Sequence, residues 1–456
     1  MDKIASAFDE QTLKIKKKFN ESKTKLQKIS PSTHFGKVTS AVGTTIRSTI
    51  ENVNIGDMCL VVDDVTKTHM KAEVIAFQNN EALLLPLGTI QGLSQRAVVI
   101  RSQERFQIAV GDFLLGKVID GFGEIIEDMS GKKPDNDEKY YYAVMQPAPP
   151  PLSRPLITDV FSTGVKSLDM FVTVGKGQRL AVFAGPGVGK TTMLGMLLRG
   201  CEADVIIIAL IGERGREVKE FIEIELSPKA REKTVLVVST SDKPPVEHVK
   251  SAYVAQTVAE YFRDQGKKVL MLVDSITRFA RAQREVGLSA GEPVSRGGFP
   301  PSVFLSFPKL MERAGNNDKS SITAFYTVLL EGEAIENDPI ADEVKSIIDG
   351  HIVLSRKLAE QSHFPAVNVL SSLSRIADRI ITDQHKLAAR KLRLLLSKYE
   401  EVELLLRVGE YQKGNDPLTD EAVRKNKDIL KYLQQLHTEA IPFQTSMKQL
   451  LQIASS

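Results

Sequence analysis

The sequence predicts an α/β protein, a mainly parallel sheet with helices on both faces, carrying an N-terminal β-barrel and a C-terminal helical domain. Three observations predict it. Between residues 156 and 375, apolar β-branched runs (180–184, 205–210, 234–238, 269–273, 322–329 and 352–354) alternate with segments of helical period. Their continuous apolar character implies strands buried on both faces. Ahead of them, short β-prone runs at 59–62, 72–77 and 97–100 are punctuated by turn signals such as Asn79–Asn80 and Gly92. Such spacing predicts a small barrel or sandwich over 34–104. After 376 the strands vanish and Leu, Lys, Glu and Arg dominate, so 376–456 reads as helical.

In chain order, the first element is a basic segment. Residues 1–30 hold eight Lys and four Asp or Glu, a charge of +4 in a chain whose total is +3, so the remainder carries −1. Phe8, Ile15, Phe19, Leu26 and Ile29 recur at helical steps among those lysines. This predicts a basic amphipathic helix able to dock on an acidic membrane surface or a partner. The barrel follows. Residues 105–155 read as a linker and the start of the core, with a polar stretch at 127–139 and a proline-rich connector at 146–155. The sheet-bearing core is expected over 156–375.

Composition narrows the function classes. Of 456 residues, 42% are hydrophobic and 26% charged, the balance of a globular protein of several domains. Near-neutral charge argues against a surface devoted to nucleic acid. The longest apolar run, 205–211, falls far short of the roughly 20 residues of a membrane helix. The N-terminus lacks an apolar signal core. Cys59 and Cys201 are the only cysteines, too few for a disulfide framework, and the seven His show no metalloprotease spacing.

The chemistry concentrates at 184–192. Gly185, Pro186, Gly187, Val188, Gly189, Lys190, Thr191 and Thr192 follow a strand and open a helix, the setting of a phosphate-binding P-loop. Glycines allow consecutive backbone N–H groups to face phosphate oxygens. Lys190 supplies a compact cation, Thr191 a hydroxyl for Mg²⁺, and the helix N-terminus a partial positive charge. The first glycine of the usual motif is replaced by Ala184, tolerable at a strand end. The run 269–274 ends in Asp274, 84 residues beyond Lys190, and is the natural acidic partner for the metal.

The words around this loop resemble the hexameric ATPase of bacterial type III secretion and flagellar export, a relative of the rotary ATP synthase catalytic subunit. The resemblance rests on AGPGVGKTT, GERGREV (212–218), DSITRFARAQREVGLSAGEP (274–293), FPPSVF (299–304), SITAFYTVLLEG (321–332), DPIADEV (338–344), DGHIVLSRKLAE (349–360) and LSRIAD (373–378). It implies a RecA-like P-loop ATPase core, with ATP and Mg²⁺ as cofactors. Glu213 is then the residue that polarises the attacking water, against the alternative of an ion pair with Arg214 or Arg216. Arg214 and Arg278 are implied around the γ-phosphate. Arg375 is implied as an arginine finger reaching the nucleotide of an adjacent subunit. Phe364 and Tyr411 are implied as the aromatic clamp on adenine. The implied partners are five like subunits in a homo-hexamer, a stator-type regulatory subunit, a central stalk, chaperone–cargo complexes and the membrane export gate, with no nucleic acid. The implied location is the inner face of the bacterial inner membrane. A rotary proton- or sodium-translocating synthase subunit and a Rho-like RNA translocase are the alternatives. The export form of the motifs disfavours the first, and the lack of a basic aromatic strand face in 34–104 the second.

Overall fold

A computed structural model describes residues 35–131, 138–330, 332, 335–414 and 416–455. The basic segment 1–30 lies outside the described residues.

Six strands form the N-terminal unit: β1 (Phe35–Val42), β2 (Thr45–Ser48), β3 (Asp57–Asp63), β4 (Thr68–Gln78), β5 (Glu81–Pro86) and β6 (Val98–Arg105). They close into a barrel in the order β1-β2-β5-β4-β3-β6, with every neighbouring pair antiparallel. Alternation along the strands buries Val61, Ala72, Val74, Leu84 and Val99 inside the closed sheet.

The chain from Phe106 onward forms a second unit. Its first stretch, expected as a linker and the start of the core, supplies strands to two sheets. β7 (Gln107–Val110) pairs with β10 (Tyr140–Ala143), while β8 (Lys117–Ile119) and β9 (Ile125–Asp128) extend the main sheet. Their shortness hid them: each has only three or four residues, too few to show a period, and all four of β9 are exposed at the sheet edge. The next residue after β10, Val144, offers its carbonyl to the wholly buried Arg313 at 2.7 Å, and Arg313 also grips Glu260 bidentately at 2.7 and 2.8 Å. The connector is thereby tied into the core.

The main sheet adds β11 (Arg179–Ala184), β12 (Val205–Glu213), β13 (Thr234–Thr240), β14 (Val269–Asp274), β15 (Gly315–Asn316), β16 (Ser321–Leu329), β17 (Gly350–Val353) and β18 (Leu373–Ser374). Its order is β18-β17-β11-β16-β14-β12-β13-β8-β9, with β15 beside β16. All pairs from β17 through β8 are parallel, and the antiparallel pairs are confined to β18, β9 and β15. Parallel pairing leaves the carboxyl ends of β11, β12 and β14 on one edge, where ligands of such sheets bind.

The helices are α1 (Lys166–Phe171), α2 (Lys190–Gly200), α3 (Gly215–Glu220), α4 (Pro228–Glu232), α5 (Pro245–Asp264), α6 (Ile276–Ser289), α7 (Pro301–Met311), α8 (Pro339–Ile347), α9 (Arg356–Glu360), α10 (Ala377–Ile380), α11 (Asp383–Val408), α12 (Pro417–Leu433) and α13 (Phe443–Ser455). Thr382 caps α11 through its side chain, and Gly409 ends it in the left-handed region (φ 78°), which a glycine takes without Cβ strain. Leu392, Leu395, Ile429 and Leu450 of the last three long helices share one apolar core with Leu180, Leu194 and Ile208 of the sheet unit. The C-terminal helices are therefore packed on the core as one body. Among the described residues no helix is long and apolar enough to cross a membrane.

Candidate functional site

Strand β11 delivers the glycine-rich loop. Ala184 is its last residue, paired with Leu329 in the parallel ladder and accepting Leu330 N–H at 3.0 Å, so ordinary extended backbone suffices there. Gly187 (φ 75°) and Gly189 (φ 88°) take the left-handed conformation that makes the loop turn back into α2. Lys190 opens that helix; the next residue, Thr191, exposes its side chain to solvent.

Three ionisable groups meet beyond the loop. Lys190 Nζ lies 2.5 Å from Asp274 Oδ1 at the end of β14 and 3.8 Å from Glu213 Oε1 at the end of β12. Thr327 of β16 donates its hydroxyl to the same Asp274 oxygen at 2.7 Å. Glu213 is the last residue of β12, reached through a register irregularity at Gly212 (φ 67°). That bulge re-aims the carboxylate. It also makes room for Arg278, whose Nε and Nη2 stand 3.4 Å from the two carboxylate oxygens. Burial, helped by the Asp274 charge and a hydrogen bond to Glu217, pushes the Glu213 carboxyl up to about 7 against the pull of Lys190 and Arg278.

Arg214 and Arg216, weighed as partners of Glu213, are both occupied elsewhere. Arg214, mostly exposed, pairs with Glu217 at 3.2 Å, and Arg216 with Glu220 at 3.4 Å. Of the two arginines expected near a γ-phosphate, the structure brings only Arg278 to the cluster.

Phe364 stands over the loop. Its ring edge would lie 3.4 Å from a Cβ at Gly189. Together with Met193, Met196, Pro365 and the turn 434–439, it lines a cavity of about 580 Å³ beside the P-loop helix. The two methionines and Gln435 were missed from sequence, because a methionine pair at helical spacing reads as core and a lone Gln carries no signal. Tyr411 is not brought to this cavity. Its hydroxyl bonds to Asp420 in the first turn of α12, which raises the phenol to about 12, and its ring lines a separate cavity with Pro417 and Arg424.

Arg375 lies at the opposite edge of the sheet. Its N–H donates to the Asp349 carbonyl at 2.9 Å, and the Asp349 carboxylate receives the N–H of Arg179 at 3.2 Å, at the start of β11. The length of β11, about 17 Å at ~3.3 Å per residue, separates that point from the loop at its far end. The exposed Arg375 side chain cannot reach its own chain's Lys190 cluster.

Glycine-rich loop, strand-end carboxylates and a central parallel sheet define the class of P-loop nucleotide hydrolases. Within it, residues 164–374 match the model of the ATP synthase alpha/beta family, nucleotide-binding domain, and residues 381–452 that of the type III secretion EscN ATPase C-terminal domain. The chain belongs to the family of type III secretion and flagellar export ATPases. It is 44% identical over 420 residues to the type 3 secretion system ATPase of Sinorhizobium fredii, covering 92% of each chain. It is 45% identical over 405 residues to the flagellum-specific ATP synthase of Bacillus subtilis, covering 88% of this chain and 91% of that one. The structure superimposes on assembled EscN of enteropathogenic E. coli with a TM-score of 0.86 at 45% identity, and on EscN in complex with its central stalk EscO with 0.83 at 44%. Each spans 92% of this chain and all of that one.

Proposed function

We propose that this chain is a Mg²⁺-dependent ATPase of a bacterial type III protein export apparatus, using hydrolysis to release chaperones and to unfold and export proteins at the inner face of the inner membrane. The observation that carries the proposal is the convergence of Lys190, Asp274 and Glu213 at the mouth of the glycine-rich loop. The loop N–H groups and Lys190 bind the β and γ phosphates. A hydroxyl and one carboxylate, Thr191 and Asp274, suit a hard cation that keeps its waters and takes phosphate oxygens. Among the described residues no cluster of three or more acidic, His or Cys side chains forms an alternative metal cage. The cation would neutralise charge developing on the phosphates. Glu213, ionised above about pH 7, polarises the water, and Arg278 fixes its orientation. Phe364 stacks on the adenine. Arg375 acts on the nucleotide of a neighbouring subunit in an assembled ring, and a central stalk is a partner by analogy with the EscN complex.

Two variants test this reading. Lys190→Ala should abolish hydrolysis and weaken ATP binding. Glu213→Gln should keep ATP affinity within about threefold while turnover falls by about 10²–10⁴. Near-normal turnover in the first, or a joint loss of binding and hydrolysis in the second, would overturn the assignment.

A further inference from the structure

The cavity beside the P-loop helix is closed by the turn after α12, and hydrogen bonds rather than apolar packing hold that turn. Gln435 is its centre, only 6% exposed. Its backbone N–H donates to the carbonyl of Phe364 at 3.0 Å. Its side-chain amide donates to the carbonyls of Gly164 at 2.8 Å and Glu439 at 3.0 Å, and accepts the N–H of Lys166 at 3.0 Å. Both amide N–H groups are thus spent on backbone, leaving no donor for a ligand.

The segment that Gln435 grips is itself fixed to the P-loop helix. Buried Asp169 accepts from the Thr163 N–H at 2.8 Å, the Thr163 hydroxyl at 2.7 Å and the Gly164 N–H at 3.1 Å. Gly164 lies so close to Gly200, the last residue of α2, that a Cβ on it would come within 2.7 Å of the Gly200 Cα. Arg199, one residue earlier, donates from Nε to the His437 carbonyl at 3.0 Å. The helix that presents Lys190 at its first residue therefore anchors, at its last turn, the frame on which Phe364 hangs.

We propose that Gln435 is a positioning residue for the nucleotide base: it holds the Phe364 backbone at a set distance from the P-loop helix, so that the ring is in place before the base arrives. The proposal rests on the reading of this cavity as the base subsite. Pre-placing an aromatic face removes an ordering cost that binding would otherwise carry. Stacking of a base on an aromatic ring adds to affinity, so losing the placement weakens the base contact and leaves the phosphate contacts untouched.

The test uses the full chain and two probes with Mg²⁺, ATP and inorganic tripolyphosphate, the second of which lacks a base. In Gln435→Met, of similar length without the amide, ATP affinity should fall about tenfold and KM rise in step. Tripolyphosphate affinity and kcat should stay within about twofold. Should the Met variant not fold, Gln435→Asn, one methylene shorter, should give the same split. Because Gln435 acts through Phe364, the double variant with Phe364→Ala should bind ATP no worse than Phe364→Ala alone. Equal weakening of both probes, no weakening of either, or additive losses in the double variant would overturn the proposal. A wild-type chain that binds ATP no more tightly than tripolyphosphate overturns the base-subsite reading itself, and the proposal with it.

Discussion

At Glu213 the requirements of catalysis and of folding oppose each other. Its carboxylate must be ionised to polarise water, yet burial favours the neutral acid and raises the pKa from 4.5 to about 7. The folded chain therefore holds a proton here that the unfolded chain releases between those two values. Stability from this group is full below about pH 4.5 and is lost as pH rises through about 7. Glu213→Gln mimics the neutral acid and cannot ionise. The variant should melt higher than the wild type near pH 8, with the gap closing towards pH 5, while its turnover is lost. A variant that melts below the wild type near pH 8 would mean that the Lys190 and Arg278 attractions outweigh burial. The wild-type rate should fall off below about pH 7 as Glu213 takes up its proton.

The P-loop helix α2 is the element on which both ends of the site depend. Helix propensity alone says that Gly200→Ala should stabilise, since Ala exceeds Gly by about 1 kcal/mol in a helix. The packing says otherwise. A methyl group at 200 would run into the Thr163 carbonyl and come within 2.8 Å of the Gly164 Cα, and backbone cannot swing aside as a side-chain tip can. The variant should lose about 1–3 kcal/mol, read as a lower urea midpoint at unchanged slope. Elements such as β11, β12, β14 and α2 were legible in the sequence because burial on two faces leaves continuous apolar runs, and because phosphate chemistry needs glycine, Lys and Thr at fixed steps. Asp274 was legible as a strand-end residue, Lys190 as the residue that opens the helix after the glycines, and Glu213 through the resemblance of its surrounding word. The short strands β8 and β9 were not, since three or four residues show no period and the edge strand β9 is exposed. Gln435 and the true surroundings of Arg214 and Tyr411 were not legible either, because each is decided by which backbone carbonyl or carboxylate comes near in three dimensions. The boundary expected at 376 marks a change in composition across a core that continues through it.

For the whole molecule, the position of Arg375 carries the argument. The residue sits beside the start of β11, at the sheet edge away from the Lys190 cluster, with its side chain near the Lys345 carbonyl (3.4 Å) and exposed. If it completes an active site, that site belongs to another copy of the chain. A lone subunit then lacks one cation of the charge-neutralising set, and turnover should rise steeply with protein concentration as subunits assemble. Mixing two inactive variants separates trans action from mere support of the interface. Lys190→Ala retains Arg375, and Arg375→Ala retains the P-loop cation. In rings assembled from a mixture of monomers, some interfaces join an intact loop from one parent to an intact arginine from the other. With equal amounts and random assembly, about a quarter of interfaces should be competent, so the mixture should hydrolyse ATP although neither parent does, provided an arginine finger contributes its usual ~10³-fold or more. Rings that form normally by size yet stay inactive at every mixing ratio would show that Arg375 does not serve a neighbour's nucleotide.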